Sequence, residues 1–505
     1  MGEMFNNNHH GRSMEMEKHT GKYGSWSKQF VGGQWKEGNS QRKATVKSPY
    51  DGKLITELRF ASRQDIDDAY NLAKKAQPQW AAVPAYEKMG LLERVSDLFT
   101  QRKEELVDLL IHESGSSRIK SGVEVDCSIA DIKEAIKYPL LMNVSMFPSN
   151  VPGKENRVYR LPGGVVGMMS PWNWPLYLSI RAVAPAIAAG NSVVLKAASL
   201  TPITGGLAIA KIFEDAGLPK GVLSVVVAAP DEIGDYMVEH PVPNIISFTG
   251  STEVGKRIGE VAGKHLKKVA LELGGNNVFI ALDDADVDQA VSAAAFGRFF
   301  HQGQICIATN RIIVDRKIYQ EFLDKFTKVT AKVKVGNPAD ADTIIGPMIT
   351  QKQIAKLTKI LDGCEAEGAR IVLRGKVEGQ LMWPSIVADV TNAMTIAKTE
   401  LFGPIASIMP VDSEEEAIKV ANDCDFGLSG AVFSGSLERG IKVAQQVETG
   451  MIHVNDQTVN VDPGAPFGGE KSSGLGRYCG VEWAINDFST IKWISVQNGY
   501  RQWPF

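Results

Sequence analysis

The chain has 505 residues, a formal net charge of −3, 44% hydrophobic residues and 22% charged residues. This length is too great for one hydrophobic core, so we expect a globular protein of two or three domains. The weak net charge and the scattered lysines and arginines argue against nucleic acid or a membrane surface as a partner. The longest apolar run, 182–195, is interrupted by Pro185, Gly190 and Asn191, so no membrane span is predicted.

The five cysteines are widely spaced and odd in number, which fits neither a disulfide framework nor a zinc site. We therefore expect reduced thiols, a cytoplasmic protein and no bound metal. Residues 1–25 are polar and lack the apolar stretch of a signal peptide. They predict a disordered extension or an artificial addition.

Apolar residues recur at helical spacing between Arg63 and Ser114, which predicts helices there. From Gly164, short apolar runs alternate with helical stretches, a pattern typical of a parallel sheet covered on both faces. The predicted strands are 165–169, 193–195, 223–227 and 245–248, and the predicted helices are 179–189, 203–216 and 253–264. This block forms the first of two predicted α/β units.

A second alternating block extends from about Val278 to Val454, with strands predicted at 311–314, 405–409 and 431–433. Segments 148–159 and 487–495 have the composition of strands but lie outside both alternations. Extra strands of this kind favour a role in assembly. The sequence therefore predicts an α/β fold with two α/β blocks and a small β extension.

No G-x-G-x-x-G motif follows a predicted strand, so the usual dinucleotide signature is absent from the sequence. The segment 248–255, Phe-Thr-Gly-Ser-Thr-Glu-Val-Gly, instead leads from a buried strand through a tight turn into a helix. Exposed N–H groups at such a helix start bind a pyrophosphate. A capped helix without a ligand is the alternative interpretation.

Three residues are candidates for chemistry. Cys306 follows a Gln-Gly-Gln turn in 301–307, which predicts a close approach of the chain and polar groups that orient a ligand. Glu272 lies in an apolar run before two glycines, so burial should raise its pKa and favour a general base. Asn173 is held between Trp172 and Trp174, as an oxyanion donor must be. A core cysteine, a satisfied glutamate and a turn asparagine are the alternatives.

These residues belong to six motifs through which the chain, from about Phe30 to Trp493, resembles the aldehyde dehydrogenases. The motifs occur in that family's order, and the separation of 34 positions between Glu272 and Cys306 also suits it. They are Pro-Trp-Asn-Trp-Pro at 171–175, Phe-Thr-Gly-Ser at 248–251, Glu-Leu-Gly-Gly at 272–275, Gly-Gln-Ile-Cys at 303–306, Glu-Leu-Phe-Gly-Pro at 400–404 and Pro-Phe-Gly-Gly at 466–469.

The resemblance implies that Cys306 attacks the aldehyde, that Asn173 and the Cys306 N–H stabilise the oxyanion, and that Glu272 activates water. It implies NAD(P)⁺ as the cofactor, a homodimer or homotetramer as the assembly, and an acid as the product. The cofactor residues it suggests are Ser170, Pro171, Trp172, Lys196, Ser199, Gly250, Ser251, Leu273, Glu400 and Phe402.

The resemblance also implies a Rossmann-like cofactor domain, a catalytic domain and a strand extension that joins subunits. The expected boundaries are 26–147 with 165–272 for the dinucleotide-binding domain, 273–470 for the catalytic domain, and 148–164 with 487–505 for oligomerisation. Two departures stand out. Ser199 replaces a glutamate that repels a 2′-phosphate in many members, so NADP⁺ should at least be tolerated. Ala182 and Tyr478 replace the members of a proton relay.

The segments 301–306 and 454–460 resemble the benzaldehyde and vanillin dehydrogenase branch, which suggests an aromatic substrate. The candidate pocket residues are Trp174, Tyr177, Arg181, Ile305, Ile307, Val459 and Phe467. A semialdehyde held by Arg181 and an aliphatic aldehyde remain alternatives. A coenzyme-A-acylating enzyme is disfavoured by Glu272, and a non-catalytic structural relative is disfavoured because Cys306, Glu272 and Asn173 are all present.

Overall fold

The computed structural model describes residues 26–505, so the extension predicted at 1–25 lies outside the described residues. The α/β fold predicted from the sequence is confirmed, and the described residues form three sheets of three or more strands. Within 26–505, no helix is both long enough and apolar enough to cross a membrane. The α-helices are Arg63–Ala82, Ala85–Gln101, Lys103–Ser114, Arg118–Ala135, Tyr138–Leu141, Pro175–Ala188, Ala208–Asp215, Pro230–Ile233, Tyr236–Glu239, Thr252–Lys264, Val287–Phe299, Arg316–Thr330, Gln351–Gly363, Thr395–Lys398, Glu414–Asn422, Leu437–Ala444 and Val481–Phe488.

An eight-stranded sheet contains the strands of the first predicted block. Its five central strands are parallel. Along the chain, the first three of them are added in one direction and the last two in the other, so the order reverses after Leu223–Val226. In spatial order the strands are Gln34–Lys36, Gln29–Val31, Leu223–Val226, Ser192–Lys196, Val165–Met169, Ile245–Thr249, Lys268–Glu272 and Gly474–Leu475. This is the strand order of a doubly wound nucleotide-binding fold, which places a ligand where the order reverses.

Two predicted helices of this block differ from those observed. The helix predicted to start at Ser179 begins at Pro175, because proline is well suited to the first turn, where its missing N–H is not needed. The helix predicted at 203–216 opens with a π-helical turn, Ile203–Leu207, before the α-helix Ala208–Asp215. Two adjacent buried glycines, Gly205 and Gly206, lie in that turn.

A seven-stranded sheet holds the second predicted block, with all but its first strand parallel. In spatial order the strands are Arg370–Leu373, Ser385–Ala388, Ile405–Val411, Thr309–Asp315, Asn277–Ala281, Ser429–Phe433 and Met451–Val454. The strand Thr309–Asp315 is completely buried, and it begins three residues after Cys306. The loop that carries Cys306 is therefore anchored to the buried core of the seven-stranded sheet.

A three-stranded antiparallel sheet stands apart from the two large ones. Ser489–Gln497 pairs with Lys154–Pro162, which pairs with Val144–Pro148. The predicted segment 148–159 contains only the last residue of Val144–Pro148, the turn at 149–153 and the first part of Lys154–Pro162. All five residues of Val144–Pro148 are exposed, so no alternation marks this strand in the sequence. Three two-stranded ribbons complete the fold, formed by Lys43–Lys47 with Leu54–Arg59, Val377–Glu378 with Leu381–Met382, and Phe426–Gly427 with Glu470–Lys471.

Candidate active site

The candidate site lies where the strand order of the eight-stranded sheet reverses. Val165–Met169 and Ile245–Thr249 are adjacent parallel strands, and their carboxyl ends lead into the segments that contain Asn173 and Ser251. Lys268–Glu272, the next strand, ends at Glu272. Three separate predicted motifs therefore meet at one edge of the sheet, as parallel strand order requires.

Cys306 is presented by an unusual turn. His301, Gln302 and Gly303 have φ angles of 50°, 56° and 69°, so three consecutive residues adopt the left-handed conformation. A Cβ atom at Gly303 would lie 2.3 Å from Nη2 of Arg298, so only glycine fits there. The buried Arg298 side chain donates from Nη2 to the Gly303 carbonyl at 2.9 Å and from Nη1 to the Thr309 carbonyl at 2.9 Å. Arg298 thus clamps the turn that precedes the thiol.

The two glutamines of this turn do not orient a ligand, so that expectation from the sequence is wrong. Both side chains are completely buried. Gln302 Nε2 donates to the Pro347 carbonyl at 2.9 Å, and Gln304 Oε1 accepts from the Ile349 N–H at 3.0 Å. A buried left-handed turn has polar groups to satisfy, and the segment at 347–349 satisfies one atom of each amide, Gln302 Nε2 and Gln304 Oε1.

The strand that carries Glu272 packs closely against the Cys306 loop. A Cβ atom at Gly275 would lie 2.4 Å from the Cys306 carbonyl oxygen, so the second glycine after Glu272 permits the contact. Asn277 Nδ2 donates to the same carbonyl at 2.8 Å. The Glu-Leu-Gly-Gly motif therefore brings a carboxylate to the thiol and fixes the backbone beside it.

Glu272 is buried, with 1% of its surface exposed, as the apolar run around it predicts. Burial raises the pKa of its carboxyl group, while Arg181 and the Cys306 thiol oppose that rise. Burial also raises the pKa of Cys306 well above that of a free thiol, and the Glu272 charge adds to the increase. Cys306 therefore rests as a thiol in contact with a potential base.

Asn173 lies next to Cys306 and has 4% of its surface exposed. Its Nδ2 donates to the Gln304 carbonyl at 3.0 Å, which directs the amide towards the turn that carries the thiol. One amide hydrogen is left for a substrate oxygen. Among residues 26–505, no three His, Cys, Asp or Glu side chains are grouped as metal ligands would be.

A buried ion pair from the helix Arg118–Ala135 supports the Asn173 segment. Lys120 forms a salt bridge with Glu124, and its Nζ also donates to the Asn173 carbonyl at 3.0 Å. Glu124 accepts from the N–H groups of Leu176 and Tyr177 at 2.9 and 3.2 Å. These N–H groups open the helix Pro175–Ala188, which has no side-chain cap of its own, so Glu124 caps it from another helix.

Two cavities meet at Cys306. Both include Asn173, Leu178 and Cys306 in their walls. The first measures about 200 Å³ and is lined mainly by aromatic and aliphatic side chains. All seven pocket residues predicted from the sequence line it, namely Trp174, Tyr177, Arg181, Ile305, Ile307, Val459 and Phe467. We call it the substrate-side cavity.

The second cavity measures about 230 Å³ and is lined by strand ends and the start of a helix. We call it the cofactor-side cavity. Seven predicted cofactor residues line it, namely Pro171, Trp172, Gly250, Ser251, Leu273, Glu400 and Phe402. Ser170, Lys196 and Ser199 lie outside its wall, along the carboxyl ends of Val165–Met169 and Ser192–Lys196.

Charged groups accompany the cofactor-side cavity. Glu400 accepts from the Gly275 N–H at 3.0 Å, and burial raises the pKa of its carboxyl group to about 7. Burial lowers the pKa of Lys196 to about 8. Phe402 has a φ of 51° and packs edge-on against Trp172, with ring centroids 5.6 Å apart.

Sequence reasoning missed several residues at this site. Phe296 and Phe300 line the substrate-side cavity and stack with centroids 4.7 Å apart. Their spacing of four residues, just before Cys306, was a usable signal. Lys120 and Glu124 have the same spacing, but an i,i+4 ion pair on a helix is usually a solvated surface feature. Nothing in the sequence shows that this pair is buried.

Comparisons with known proteins identify the family of the chain. The family model described as the aldehyde dehydrogenase family matches residues 35–494. A benzaldehyde dehydrogenase of Bacillus subtilis is 50% identical over 483 residues, which cover 96% of this chain and 99% of that protein. A vanillin dehydrogenase of Corynebacterium glutamicum is 49% identical, covering 93% of this chain and 98% of that one.

The crystal structure of an NAD-dependent benzaldehyde dehydrogenase from Corynebacterium glutamicum superposes with a TM-score of 0.86 at 46% identity. It covers 94% of this chain and 98% of its own. The chain belongs to the aldehyde dehydrogenase family. Its activity is the oxidation of an aldehyde.

Proposed function

We propose that this enzyme oxidises an aromatic aldehyde to the carboxylic acid through a thioester on Cys306. The observation that carries the proposal is the substrate-side cavity, whose aromatic and aliphatic wall ends at the thiol. Flat apolar walls bury both faces of an aromatic ring, and ring burial contributes a few kcal/mol. Relatives of about half identity named benzaldehyde and vanillin dehydrogenase support the same substrate class.

The first step is attack by Cys306 on the carbonyl carbon. Because burial raises the thiol pKa, the proton must leave to a base, and the Glu272 carboxylate contacts the thiol. The new carbon–sulfur bond converts the carbonyl oxygen into an oxyanion. The Asn173 amide and the Cys306 N–H stabilise this charge, because they are fixed before the reaction begins.

The cofactor-side cavity fits a nicotinamide dinucleotide. The helix Thr252–Lys264 starts at the cavity, and Ser251 at its N-cap makes no side-chain capping bond, so the first N–H groups are available to a pyrophosphate. Lys196 and Ser199 would contact the adenosine ribose, and Glu400 and Phe402 the nicotinamide end. The bound dinucleotide supplies the acceptor for the hydride that leaves the thiohemiacetal carbon.

Glu272 then resolves the thioester. The proton taken from the thiol passes to solvent, so the carboxylate can take a proton from water, and the hydroxide oxygen bonds to the acyl carbon. The carbon–sulfur bond then breaks to release the acid and the Cys306 thiolate, which recovers a proton from Glu272. Glu272 lines the cofactor-side cavity next to Cys306, so water can reach both groups from that side. A group that activates water at the thioester disfavours transfer to coenzyme A.

The cofactor choice follows from Ser199. A serine in place of a carboxylate does not repel a 2′-phosphate, so we expect NAD⁺ to be used and NADP⁺ to be tolerated. NAD⁺ dependence in the related Corynebacterium glutamicum enzyme supports the first part. The half-buried Ser199 lies three residues beyond the strand Ser192–Lys196, beside the strand that leads to Asn173.

We also propose the domain division 26–147 with 165–272, 273–470, and 148–164 with 487–505, and assembly into a homodimer or homotetramer. The three-stranded sheet supports the assembly. Four apolar residues on its two outer strands are each at least half exposed, namely Met146, Phe147, Ile491 and Trp493. Unpaired outer strands with apolar side chains favour association.

All five cysteines are unpaired, as in cytoplasmic enzymes, so we propose that location.

The test is a comparison of kcat/KM for benzaldehyde, vanillin, hexanal and succinate semialdehyde at saturating NAD⁺. We expect benzaldehyde or vanillin to exceed the other two by about tenfold or more, which corresponds to about 1.4 kcal/mol of differential binding. Alkyl chains lose rotational freedom on entry and stack less well on aromatic walls. Succinate semialdehyde at the top by an order of magnitude would contradict the proposal and identify Arg181 as a carboxylate anchor.

A further inference from the structure

Arg181 is a buried arginine between the two cavities. Its side chain lines the substrate-side cavity, and its Nη2 lies 3.5 Å from Oε2 of Glu272, which lines the cofactor-side cavity. Each of the two residues has 1% of its surface exposed. Removing two charges from water costs several kcal/mol per ion, so a buried pair is a poor device for stability alone.

The guanidinium group is held by rings more than by hydrogen bonds. It lies over Phe467, Tyr478 and Tyr177, with centroid distances of 4.3, 4.7 and 5.6 Å. Among residues 26–505, its Nε and Nη1 atoms have no hydrogen-bond partner. Within the same range, Glu272 is the only carboxylate with which it forms an ion pair. The rings therefore hold the guanidinium beside the Glu272 carboxylate.

Arg181 also occupies the region in which the family resemblance places a proton relay. Tyr478, at one of the two relay positions, donates to the Ala270 carbonyl at 2.9 Å and bonds to Ser247 at 2.9 Å, so its hydroxyl is already engaged. Arg181 is adjacent to Ala182, the other relay position. The guanidinium lies over the Tyr478 ring, so a fixed positive charge stands beside this relay position.

We infer that Arg181 is a positioning residue that holds the Glu272 carboxylate against the Cys306 thiol and sets the pH range in which both groups react. The inference rests on the proposed roles of Cys306 and Glu272. The guanidinium does not contact the reacting atoms in this scheme, and it acts through the charge and placement of Glu272. Because Arg181 pairs with Glu272, its positive charge in the wall of the substrate-side cavity is compensated.

The electrostatic surroundings support this inference. Burial raises the pKa of both Glu272 and Cys306, and the Arg181 charge opposes the rise in each case. Glu400 acts in the opposite direction, raising the pKa of Cys306.

The other ionisable groups near the guanidinium are Tyr177, Tyr478, Cys479 and Asp131. Burial raises the pKa of Asp131 to about 7, and Arg181 opposes that rise. Asp131 is hydrogen-bonded to Cys479, with a distance of 3.5 Å between Oδ2 and Sγ.

The sign of the effect is fixed by charge. Arg181→Met keeps the length and apolar contacts of the side chain but removes the positive charge, so the pKa of Glu272 and that of Cys306 should both rise. An opposite charge at this range typically shifts a pKa by about one to three units. The acid limb of the kcat profile and the onset of thiol reactivity should move to higher pH by that amount.

The experiment measures the alkylation of Cys306 by iodoacetamide, without substrate, as a function of pH in the wild type, Arg181→Met, Arg181→Lys and Glu272→Gln. Peptide mass spectrometry confirms that Cys306 is the modified thiol, and thermal unfolding checks the fold. The steady-state kcat profile with benzaldehyde and NAD⁺ is recorded in parallel. We expect Arg181→Met to shift both profiles upward, and Arg181→Lys, which retains the charge, to remain near the wild type.

Unchanged profiles in Arg181→Met, with only a lower kcat or a higher KM for a carboxylate-bearing aldehyde, would overturn the inference. Glu272→Gln separates this outcome from failure of the proposed function. If Glu272→Gln turns over normally, Glu272 is not the base, whatever Arg181 does. Should Arg181→Met fail to fold, Arg181→Gln applies the same charge test, and a profile like that of the wild type would again overturn the inference.

Discussion

The two cavities that meet at Cys306 are similar in size but opposite in character. The substrate-side cavity is walled by side chains such as Trp174, Phe300 and Val459, which project from helices and loops. The cofactor-side cavity is lined by residues at strand ends and at a helix start, together with Glu272 and Glu400. In the proposed function, one side recognises its ligand by shape and apolar area, and the other by directed N–H groups and charge.

The two cavities should therefore respond differently to substitution. Replacing a side chain in the substrate-side cavity changes its shape without disturbing a sheet, so the accepted aldehyde can change. The cofactor-side cavity depends on strand order and on close approaches such as Gly275 against Cys306, so substitutions there alter the backbone. Cys306 and Asn173 belong to both walls. Glu272 lines the cofactor-side cavity and contacts the Cys306 thiol.

The largest effect should come from Cys306→Ala, which removes the group that both cavities share. We expect oxidation to fall by about four orders of magnitude or more, because no covalent intermediate can form. NAD⁺ binding, measured by calorimetry, should be nearly unchanged, since the cofactor-side cavity retains its backbone donors. Reduced cofactor produced at more than a trace rate would refute the covalent scheme.

Glu272→Gln should uncouple the two half-reactions. In this variant the Cys306 thiol must lose its proton to solvent, so acylation becomes slower but still occurs, whereas water is no longer deprotonated and the thioester persists. Rapid mixing should therefore give a burst of NADH followed by a phase slower by about two orders of magnitude. The burst amplitude should approach one equivalent per active site. Steady-state turnover close to that of the wild type would assign the base to another residue.

A charge placed on the apolar side should harm only that side. Val459→Asp introduces a carboxylate into the substrate-side cavity, and its desolvation should lower kcat/KM for benzaldehyde by about ten- to a hundredfold. Val459→Ile, which stays apolar, is the matched control and should change the value less. An equal loss in NAD⁺ affinity for Val459→Asp would show that the two cavities are not independent.

The smallest effect is expected from Ser199→Glu on the cofactor side. A carboxylate near the ribose should repel a 2′-phosphate and lower the preference for NADP⁺ relative to NAD⁺ by about tenfold. Ser199→Gln has a similar size without the charge and should change the ratio less. If the ratio stays the same in both variants, Ser199 is not at the ribose.

The positions of the buried strands could largely be predicted from sequence, because parallel strands such as Val165–Met169 and Ile245–Thr249 are short apolar runs between turns. The exposed strand Val144–Pro148 could not be placed, because exposed residues carry no periodic signal. The identity of the reacting residues followed from the resemblance, whereas their alternatives could not be dismissed from local sequence alone.

Contacts between distant segments were beyond sequence reasoning. Local sequence predicted that Gln302 and Gln304 contact a ligand, whereas their side chains form hydrogen bonds with the backbone of residues 347–349. The approach of Arg181 to Glu272 joins residues 91 positions apart, and the burial of Lys120 and Glu124 depends on the helix Pro175–Ala188. Pairings of this kind depend on how the two large sheets and the intervening helices pack.

The most direct test of the account is mass spectrometry of the Glu272→Gln enzyme after mixing with benzaldehyde and NAD⁺. We expect an intact protein heavier by one benzoyl group, located on the peptide that contains Cys306 and absent from the Cys306→Ala, Glu272→Gln double variant. Hexanal under the same conditions should give less acyl-enzyme, because the substrate-side cavity favours a ring. NADH formed without any adduct on Cys306, or an adduct on another residue, would contradict the account.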